Sequence, residues 1–415
     1  IQFSYFIFIF PHNCMSSISL YRIFLIFLQL GCISFGGPAA HLVFFHRKFV
    51  TQLQWLNDTQ YSQLVALAQL LPGPSSSQVG LSIGYLQRGY TGAVIAWLGF
   101  TLPSMILMTL VALLGQSYFH ILNSNSFHTI QLIVFSVIAW AFWQMLRSFC
   151  KTVWQYAVLI LSVALLIVVS VSFNQILVII LGAICGLLAG YFSQSDSKPK
   201  EINKTAISSP YIRSAAAPYW LLAFILPFLL LPLAGKLWGE SELQFFSNFY
   251  QTGSLVFGGG HVILPLLHQD FVTTGLVSAQ SFDLGYAFAQ LMPGPLFSFA
   301  SYIGALLPWT PYAWLNTLLA TCAIFLPSFF LIFATLPYWS WLMQQRHIHQ
   351  AVMGINAAVV GLLLYLLLDL SQRYFSYGSD LVFVAVMIAL LRSKLPVWFS
   401  LILGFVLYQS YLNFF

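Results

Sequence analysis

A proline followed by three serines offers this chain a place to bind an anion. Pro74 precedes Ser75, Ser76 and Ser77, and proline favours the first turn of a helix because its φ is already close to the helical value. The backbone N–H groups of a first turn lack helical partners, and about half a positive charge collects there. Serine hydroxyls add donors. The pattern predicts that these serines and the adjacent Gln78 bind an oxyanion without help from lysine or arginine.

This helix start belongs to a pair of chain breaks that occurs twice. The second copies lie 221 or 222 positions after the first. Glycine lets a backbone approach a ligand closely, and glycine and proline both interrupt helices. Inside a membrane such breaks are tolerated where they are buried in protein or line a cavity, and a duplicated pair indicates the binding site of a transporter built from repeats. The glycine breaks are Phe35-Gly36-Gly37-Pro38 and Phe257-Gly258-Gly259-Gly260, and the Pro-Gly-Pro breaks are Pro72-Gly73-Pro74 and Pro293-Gly294-Pro295.

Further matches between the two halves appear in the same order along the chain and predict an internal duplication. Three short segments recur in the same order relative to the breaks, and one of them is a Leu-Pro-Ser motif. The matched segments are Ala68-Gln69-Leu70-Leu71 with Ala289-Gln290-Leu291-Met292, Ile83-Gly84 with Ile303-Gly304, and Leu102-Pro103-Ser104 with Leu326-Pro327-Ser328.

Polar side chains accompany the breaks in both halves. His41 and His261 follow the glycine breaks and could donate to an anion, relay a proton or simply bond to a carbonyl. Gln69 and Gln290 precede each Pro-Gly-Pro and could contact substrate or the opposite hairpin. Ser298 is the one hydroxyl after Pro295, so the two sites are alike but not equivalent. The predicted substrate-binding residues are Gly36, Gly37, Pro38, His41, Gln69, Pro72, Gly73, Pro74, Ser75, Ser76, Ser77, Gln78, Gly258, Gly259, Gly260, His261, Gln290, Pro293, Gly294, Pro295 and Ser298.

Composition places these motifs in a membrane. The chain has 415 residues, of which 60% are hydrophobic and 6% charged, whereas soluble domains average about 25% charged residues. Its apolar runs approach the roughly 20 residues that span a bilayer, and they do not alternate as barrel strands do. We therefore predict a polytopic α-helical protein in the lipid bilayer. The net charge is +6, and the basic residues are expected at helix ends. This charge therefore does not indicate nucleic-acid binding.

Three further signatures of enzymes and ATP-driven pumps are missing from the sequence. It contains no HExxH, no paired intramembrane carboxylates and no nucleotide-binding P-loop. We predict no catalytic residue, no metal and no cofactor. The breaks themselves have a simpler interpretation, as kinks that allow tight helix packing. The five cysteines are scattered, as expected of small packing residues: Cys14, Cys32, Cys150, Cys185 and Cys322.

The distribution of charge predicts two halves of opposite orientation. Residues 15–192 form the first half, 193–217 a cytoplasmic linker, and 218–415 the second half, which opens with an inverting helix at 218–235. Residues 1–14 are expected to lie outside the fold. The fold class is all-α, with two inverted repeats that each contain two re-entrant hairpins and about four spans. The hairpins are expected at 20–45, 60–87, 246–268 and 284–306, and the spans at 91–115, 128–147, 153–171, 175–192, 312–336, 351–370, 378–391 and 396–413.

Charged flanks support this orientation. Arg47 and Lys48 fall on the cytoplasmic side, while Asp270 and Asp283 stand at the outer ends of the second-half hairpins. The first half has no acid at mid-membrane, and Asp369 is expected at an interface. Proton coupling through a carboxylate therefore receives little support from the sequence.

The motif set resembles the chromate ion transporter family in its long, two-domain form. The resemblance rests on Phe35-Gly36-Gly37-Pro38-Ala39-Ala40-His41, the segment from Leu71 to Gly80, Phe257-Gly258-Gly259-Gly260-His261 and the segment from Pro293 to Ser298. It runs from about Leu20 to the C-terminus. It implies a plasma (inner) membrane protein that moves chromate, usually as efflux that confers resistance, with sulfate as a structural analogue. Transport of sulfate or another inorganic anion and an uncoupled anion channel remain alternatives, and we also consider a homodimer.

Overall fold

The computed structural model describes residues 18–118, 123–169, 174–192, 214–238, 241–393 and 395–414. Within these ranges the chain is helical and contains no strand. Six of the described helices are long and apolar enough to cross a membrane. The predicted all-α, multi-pass membrane architecture is confirmed. The expected lead-in at 1–14 and most of the expected linker at 193–217 lie outside the described residues.

The described part of the first half contains seven α-helices. The second of them continues as a π-helical turn at His46–Gln52, and the fourth is interrupted by non-helical backbone at Arg88 and Gly89. The helices are α1 Leu20–Ile33, α2 Gly37–Phe45, α3 Asp58–Leu70, α4 Ser75–Tyr118, α5 Ser124–Phe149, α6 Val153–Val168 and α7 Asn174–Phe192.

The second half repeats this order after one extra helix, α8 Ala217–Trp238. A π-helical turn recurs at His268–Val272, and 3₁₀ turns occur at Gly260–Val262, Leu296–Ser298 and Leu336–Tyr338. The remaining helices are α9 Ser241–Leu255, α10 Ile263–Leu267, α11 Ala279–Leu291, α12 Phe299–Leu306, α13 Ala313–Thr335, α14 Trp339–Gln344, α15 Arg346–Tyr374, α16 Gly378–Arg392 and α17 Val397–Phe414.

The first broken segment of each half is a hairpin. The rings of Phe27 and Phe49 lie 5.1 Å apart, and those of Phe249 and Phe271, each 222 positions later, lie 4.7 Å apart. These pairs join the helix before each glycine break to the π-helical turn after it, so the chain returns along itself. The hairpin prediction and the internal duplication are confirmed by matching contacts.

The second broken segment is a hairpin in the second half, and in the first half the chain reverses direction just after the corresponding segment. In the second half the Tyr302 hydroxyl, midway along α12, donates to the carbonyl oxygen of Ser281 at the start of α11, at 2.8 Å. In the first half the chain reverses at Gly89, where φ is +64°, and residues 75–87 then lie beside residues 90–118. A Cβ added to Gly84 would stand 2.7 Å from the Ala96 Cβ. Glycine at position 84 therefore allows two antiparallel segments to pack closely.

Long helices join the two halves. The second-half helix α15 packs against the first-half helices α5, α6 and α7. The first-half helix α5 also packs against α16 and α17 of the second half. The contact between α7 and α15 depends on glycines, which have no side chain to separate the two helices. A Cβ on Gly182 would lie 2.7 Å from the Ala358 Cβ, and one on Gly354 would lie 2.8 Å from the Gly186 Cα. Small residues at this crossing bring the two backbones together, as is typical of helix packing in lipid.

Replacement of Gly354 by leucine is expected to destabilise the protein. A side chain at this position would push α7 away from α15, and overpacking of this kind costs about 1–3 kcal/mol or more. Thermal unfolding in detergent is the measurement. Gly378→Leu is the control, because a Cβ there meets nothing within 4 Å. Equal melting temperatures for the two variants would contradict the packing described.

A buried carboxylate caps one of the shorter helices, α16. Its 15 residues extend about 22 Å, less than the roughly 30 Å of a hydrocarbon core. Asp380 is fully buried at its start and accepts from the backbone N–H groups of Ser376 and Tyr377, both at 2.8 Å. His128 Nε2 lies 3.0 Å from the same carboxylate, and the Tyr408 hydroxyl donates to it. The cap therefore holds α5, α16 and α17 together.

Candidate functional site

The four breaks meet where the two halves contact each other. The amide N–H of Gly73 donates to the carbonyl oxygen of Val256 at 2.7 Å, and that of Gly294 donates to the carbonyl oxygen of Ser34 at 2.9 Å. Val256 and Ser34 come directly before the two glycine breaks. Each Pro-Gly-Pro break is thus hydrogen-bonded to the chain entering the glycine break of the other half. These bonds also satisfy backbone groups that the interrupted helices leave unpaired.

The repeated Leu-Pro-Ser motifs contact the same breaks. A Cβ on Gly73 would stand 2.6 Å from the Ser328 Oγ, and one on Gly294 would stand 2.8 Å from the Ser104 Oγ. Both glycines have positive φ, +120° and +97°, which L side chains rarely adopt. Glycine at these two positions is required by the backbone conformation and by the serine of the opposite half.

The glycine breaks border open space. Gly37 has φ +78° and Gly259 has φ +147°, and a Cβ added to either would meet nothing within 4 Å. The breaks also approach one another, because a Cβ on Gly260 would lie 3.6 Å from Pro38 Cγ. Two stretches of backbone without side chains therefore border open space, and the breaks that contain them lie close together.

Helix starts face this junction, but the two halves differ in detail. As predicted, α2 begins at Gly37 with Pro38 in its first turn, and α4 begins at Ser75 after Pro74. In the second half, the corresponding starts are 3₁₀ turns, which continue into α10 and α12. The first half therefore presents two α-helical N-termini, and the second half presents two tighter turns.

His41 links three segments of the first half. It is fully buried, with Nδ1 3.2 Å from the Ser76 Oγ and Nε2 3.1 Å from the carbonyl oxygen of Ser34. Both ring nitrogens lie within hydrogen-bond distance of these neighbours. The residue therefore fixes the start of α2 against the first turn of α4 and the end of α1, consistent with the carbonyl-bonded interpretation.

The first turn of α4 contains buried polar atoms without partners. Among the described residues, Ser77 Oγ, Gln78 Oε1 and Ser34 Oγ are buried and have no hydrogen-bond partner. The Gln78 amide group donates to the carbonyl oxygen of Pro72 at 2.6 Å and to the Ser328 Oγ at 3.4 Å. Buried polar atoms are normally paired, so this group of atoms has unused capacity for hydrogen bonding.

The second half arranges its polar residues differently. His261 Nδ1 lies 2.9 Å from the Tyr286 hydroxyl. The Gln290 side chain lies near that hydroxyl, and its Nε2 is buried without a hydrogen-bond partner among the described residues. Ser298 Oγ donates to the carbonyl oxygen of Pro295 at 2.7 Å and so closes its own turn. Gln69, the counterpart of Gln290, is exposed.

Some participants were not predicted as site residues. Ser34 and Tyr286 lack a repeated motif that would have revealed them. Ser104 and Ser328 were part of the repeated Leu-Pro-Ser motif, and that repetition was the available signal. Among the described residues, no group of three or more histidine, cysteine or acidic side chains could hold a metal ion.

Comparison with known proteins agrees with this geometry. The family model described as chromate transporter matches residues 21–187 and 243–408. The chain belongs to the chromate transporter family. The two matched regions are the two halves, as expected of the long form of the family, so the resemblance seen in the motifs is confirmed.

Several relatives match most of this transporter's length. A probable chromate transport protein of Synechococcus elongatus is 29% identical over 341 residues, covering 81% of this chain and 80% of the relative. A chromate transport protein of Cupriavidus metallidurans is 27% identical over 363 residues, covering 86% and 83%. An uncharacterized transporter of Methanocaldococcus jannaschii is 25% identical over 404 residues, covering 94% of each chain. No solved structure matches this chain.

Proposed function

We propose that this protein is a secondary transporter of a tetrahedral oxyanion, with chromate as its favoured substrate, and that the anion binds between the four breaks. The observation that carries the proposal is the reciprocal pair of hydrogen bonds, Gly73 to Val256 and Gly294 to Ser34. These bonds bring both Pro-Gly-Pro breaks to the glycine breaks, beside open space at Gly37 and Gly259. A junction of this kind between inverted repeats is where transporters of this construction bind substrate.

In this proposal, the anion is held by neutral donors. The N–H groups at the start of α4 and the Ser77 hydroxyl form one side of the site, and the backbone N–H groups near Gly37 and Gly259–His261 form the other. Stripping water from a dianion is costly, so several N-termini share the charge. Ser76 and His41 position the first turn, and Gln78 supports the Pro72 turn.

The same proposal assigns roles to the remaining predicted residues. Gly36, Gly258 and Gly260 supply backbone that approaches the anion closely. Pro38, Pro74, Pro293 and Pro295 end one helix and start the next, which keeps the N–H groups of each first turn free. Gln69, Gln290 and Ser298 complete the polar lining. No catalytic step, metal or cofactor enters this mechanism.

We also propose how the protein lies in its membrane. Residues 15–192 and 218–415 form the two inverted repeats in the plasma membrane, and 193–217 is a cytoplasmic linker. Transport proceeds outward as the repeats rock against each other. Relatives from Cupriavidus metallidurans and Pseudomonas aeruginosa are chromate transport proteins by name, which favours chromate. Sulfate shares its shape and charge and is proposed as a competing substrate, and a homodimer as the assembly.

The test is radiolabelled chromate flux in proteoliposomes that contain the purified protein. Saturable uptake that unlabelled sulfate inhibits, together with counterflow, supports a carrier. Flux that follows an imposed voltage and shows no counterflow would indicate an uncoupled anion channel instead of a carrier. Absence of any chromate or sulfate flux above that of empty liposomes would contradict the proposal.

Replacement of Ser77 by alanine is expected to weaken anion binding. Its hydroxyl is buried without a partner, so it is free to donate to the anion, and one net hydrogen bond contributes about 1 kcal/mol, or about fivefold in Kd. The triple variant of Ser75, Ser76 and Ser77 should bind more weakly still, because Ser76 also positions His41. Chromate-binding calorimetry measures the effect, with the exposed Ser62→Ala as control. Unchanged affinity in the triple variant would exclude the start of α4 as the anion site.

A further inference from the structure

A carboxylate is buried in the second half, away from the breaks. Asp283 on α11 is 3% exposed, and the Tyr374 hydroxyl of α15 donates to its Oδ2 at 2.6 Å. The Gln131 side chain of α5 also faces it. Helices of both halves therefore enclose this acid. The sequence placed Asp283 at an outer flank, and the structure buries it among three helices.

The direct partners of Asp283 are neutral groups. Arg373 acts on the carboxylate electrostatically, yet its guanidinium donates to Asp369 at 2.9 Å. Among the described residues, Tyr302 of α12 also lies close enough to Asp283 to interact with it electrostatically. Burial of a carboxylate beside neutral groups is costly in its charged form. An acid in such a position is suited to bind and release a proton, and ionisable residues inside membranes commonly have this function.

Titratable groups continue from Asp283 towards the breaks. Tyr286 lies three residues further along α11, which places it on the same face as Asp283. Its hydroxyl is 2.9 Å from His261 Nδ1, and His261 follows the glycine break directly. Along the axis of α11, Asp283 lies about 14 Å from Met292, which borders the Pro-Gly-Pro break. Asp283 is thus separate from the breaks, and Tyr286 on the same helix face contacts His261 beside them.

The first half lacks this arrangement. At the corresponding positions, 221 or 222 residues earlier, Ser62 replaces Asp283, Val65 replaces Tyr286 and Ala39 replaces His261. The helix starts show that the alignment is sound, because Asn57 and Ser278 are the N-caps of α3 and α11. The three protonatable side chains therefore occur together only in the second half among these matched positions. Both halves, by contrast, contribute backbone to the junction of the four breaks.

We propose that Asp283 is the proton-binding site that couples anion transport to a proton gradient, with Tyr286 and His261 linking it to the anion site. This inference rests on the proposed function. The carboxylate takes a proton from the outer aqueous phase and becomes a neutral acid, and after the repeats rock it releases that proton to the cytoplasmic side. The anion moves in the opposite direction, so one proton enters for each anion that leaves.

The experiment compares two kinds of flux in proteoliposomes of the full chain, above neutral pH where chromate is a dianion. Exchange of labelled for unlabelled chromate requires no net proton movement, whereas uptake driven by a pH gradient does. Asp283→Asn is expected to retain exchange, whereas its gradient-driven uptake should fall about tenfold. Asp369→Asn is the matched control, since that acid is partly exposed and paired with Arg373. It should retain both activities.

Two further measurements test proton coupling separately from anion transport itself. A pH-sensitive dye inside liposomes of the unsubstituted protein should report proton movement when chromate is added. Tyr374→Phe should shift the pH dependence of transport to higher pH, because its hydroxyl stabilises the carboxylate. Gradient-driven uptake in Asp283→Asn equal to that of the unsubstituted protein would overturn the inference, as would net chromate uptake by the unsubstituted protein without proton movement. Absence of exchange in the unsubstituted protein would instead contradict the proposed function.

Discussion

Replacement of Gly37 or Gly259 by leucine is expected to reduce anion transport to the background of empty liposomes. Both glycines border open space, since an added Cβ meets nothing within 4 Å, and the proposed anion site lies there. A leucine side chain would occupy that space and prevent the anion from reaching the backbone. Both positions also have positive φ, which costs about 1–3 kcal/mol for a residue other than glycine. Chromate counterflow in proteoliposomes measures the loss.

Gly275 provides a control that separates strain from obstruction. It also has positive φ, +75°, and open space around it, but it lies between the π-helical turn and α11, away from the junction. Gly275→Leu should therefore show similar strain and retain transport. Elution as a single species in detergent would verify that each variant folds. Transport in Gly37→Leu or Gly259→Leu at the level of Gly275→Leu would contradict an anion site at the glycine breaks.

Replacement of Gly73 or Gly294 by alanine is expected to impair both folding stability and transport. The new methyl group would stand 2.6 Å from the Ser328 Oγ or 2.8 Å from the Ser104 Oγ. Overpacking costs about 1–3 kcal/mol, and the positive φ adds a similar amount. Because each glycine N–H bonds to the other half, displacement of either turn separates the breaks. Thermal unfolding in detergent and counterflow measure the two effects.

A second substitution tests whether the contact itself is responsible. Ser328→Ala removes the hydroxyl oxygen nearest to the new methyl group in Gly73→Ala. The double variant should recover part of the lost stability, and Ser328→Ala alone should be well tolerated. A fully stable and active Gly73→Ala would show that this turn does not lie against the opposite half as described.

The hairpins and the duplication could be predicted because they leave local signals. Proline and glycine stop helices wherever they occur, and the repeated motifs fixed the offset of 221 or 222 positions. The same offset relates the contact of Phe27 with Phe49 to the contact of Phe249 with Phe271. The charges at the hairpin ends then distinguished hairpins from plain spans. These features depend on a few neighbouring residues, which is why sequence sufficed.

The pairing of the breaks could not be predicted. Glycine and proline indicate where a helix stops, but they do not specify which distant carbonyl its free N–H will meet. Gly73 bonds to Val256 and Gly294 to Ser34, and such partners depend on the packing of whole helices. Asp283 shows the same limit, because its environment is built by Gln131 and Tyr374 from elsewhere in the chain. The second-half starts at 260 and 296 carry no pattern that distinguishes a 3₁₀ turn from an α-helix.

The most direct measurement is the position of a bound anion. Selenate has the tetrahedral shape and charge of chromate, and its selenium atom gives an anomalous signal in a crystal grown with it. We predict one anomalous peak between the halves, with oxygen atoms about 2.7–3.2 Å from donors at the start of α4 and at the glycine break of the second half. A peak held by residues of one half alone, or no peak near Gly37 and Gly259 when selenate is bound elsewhere, would contradict the shared site.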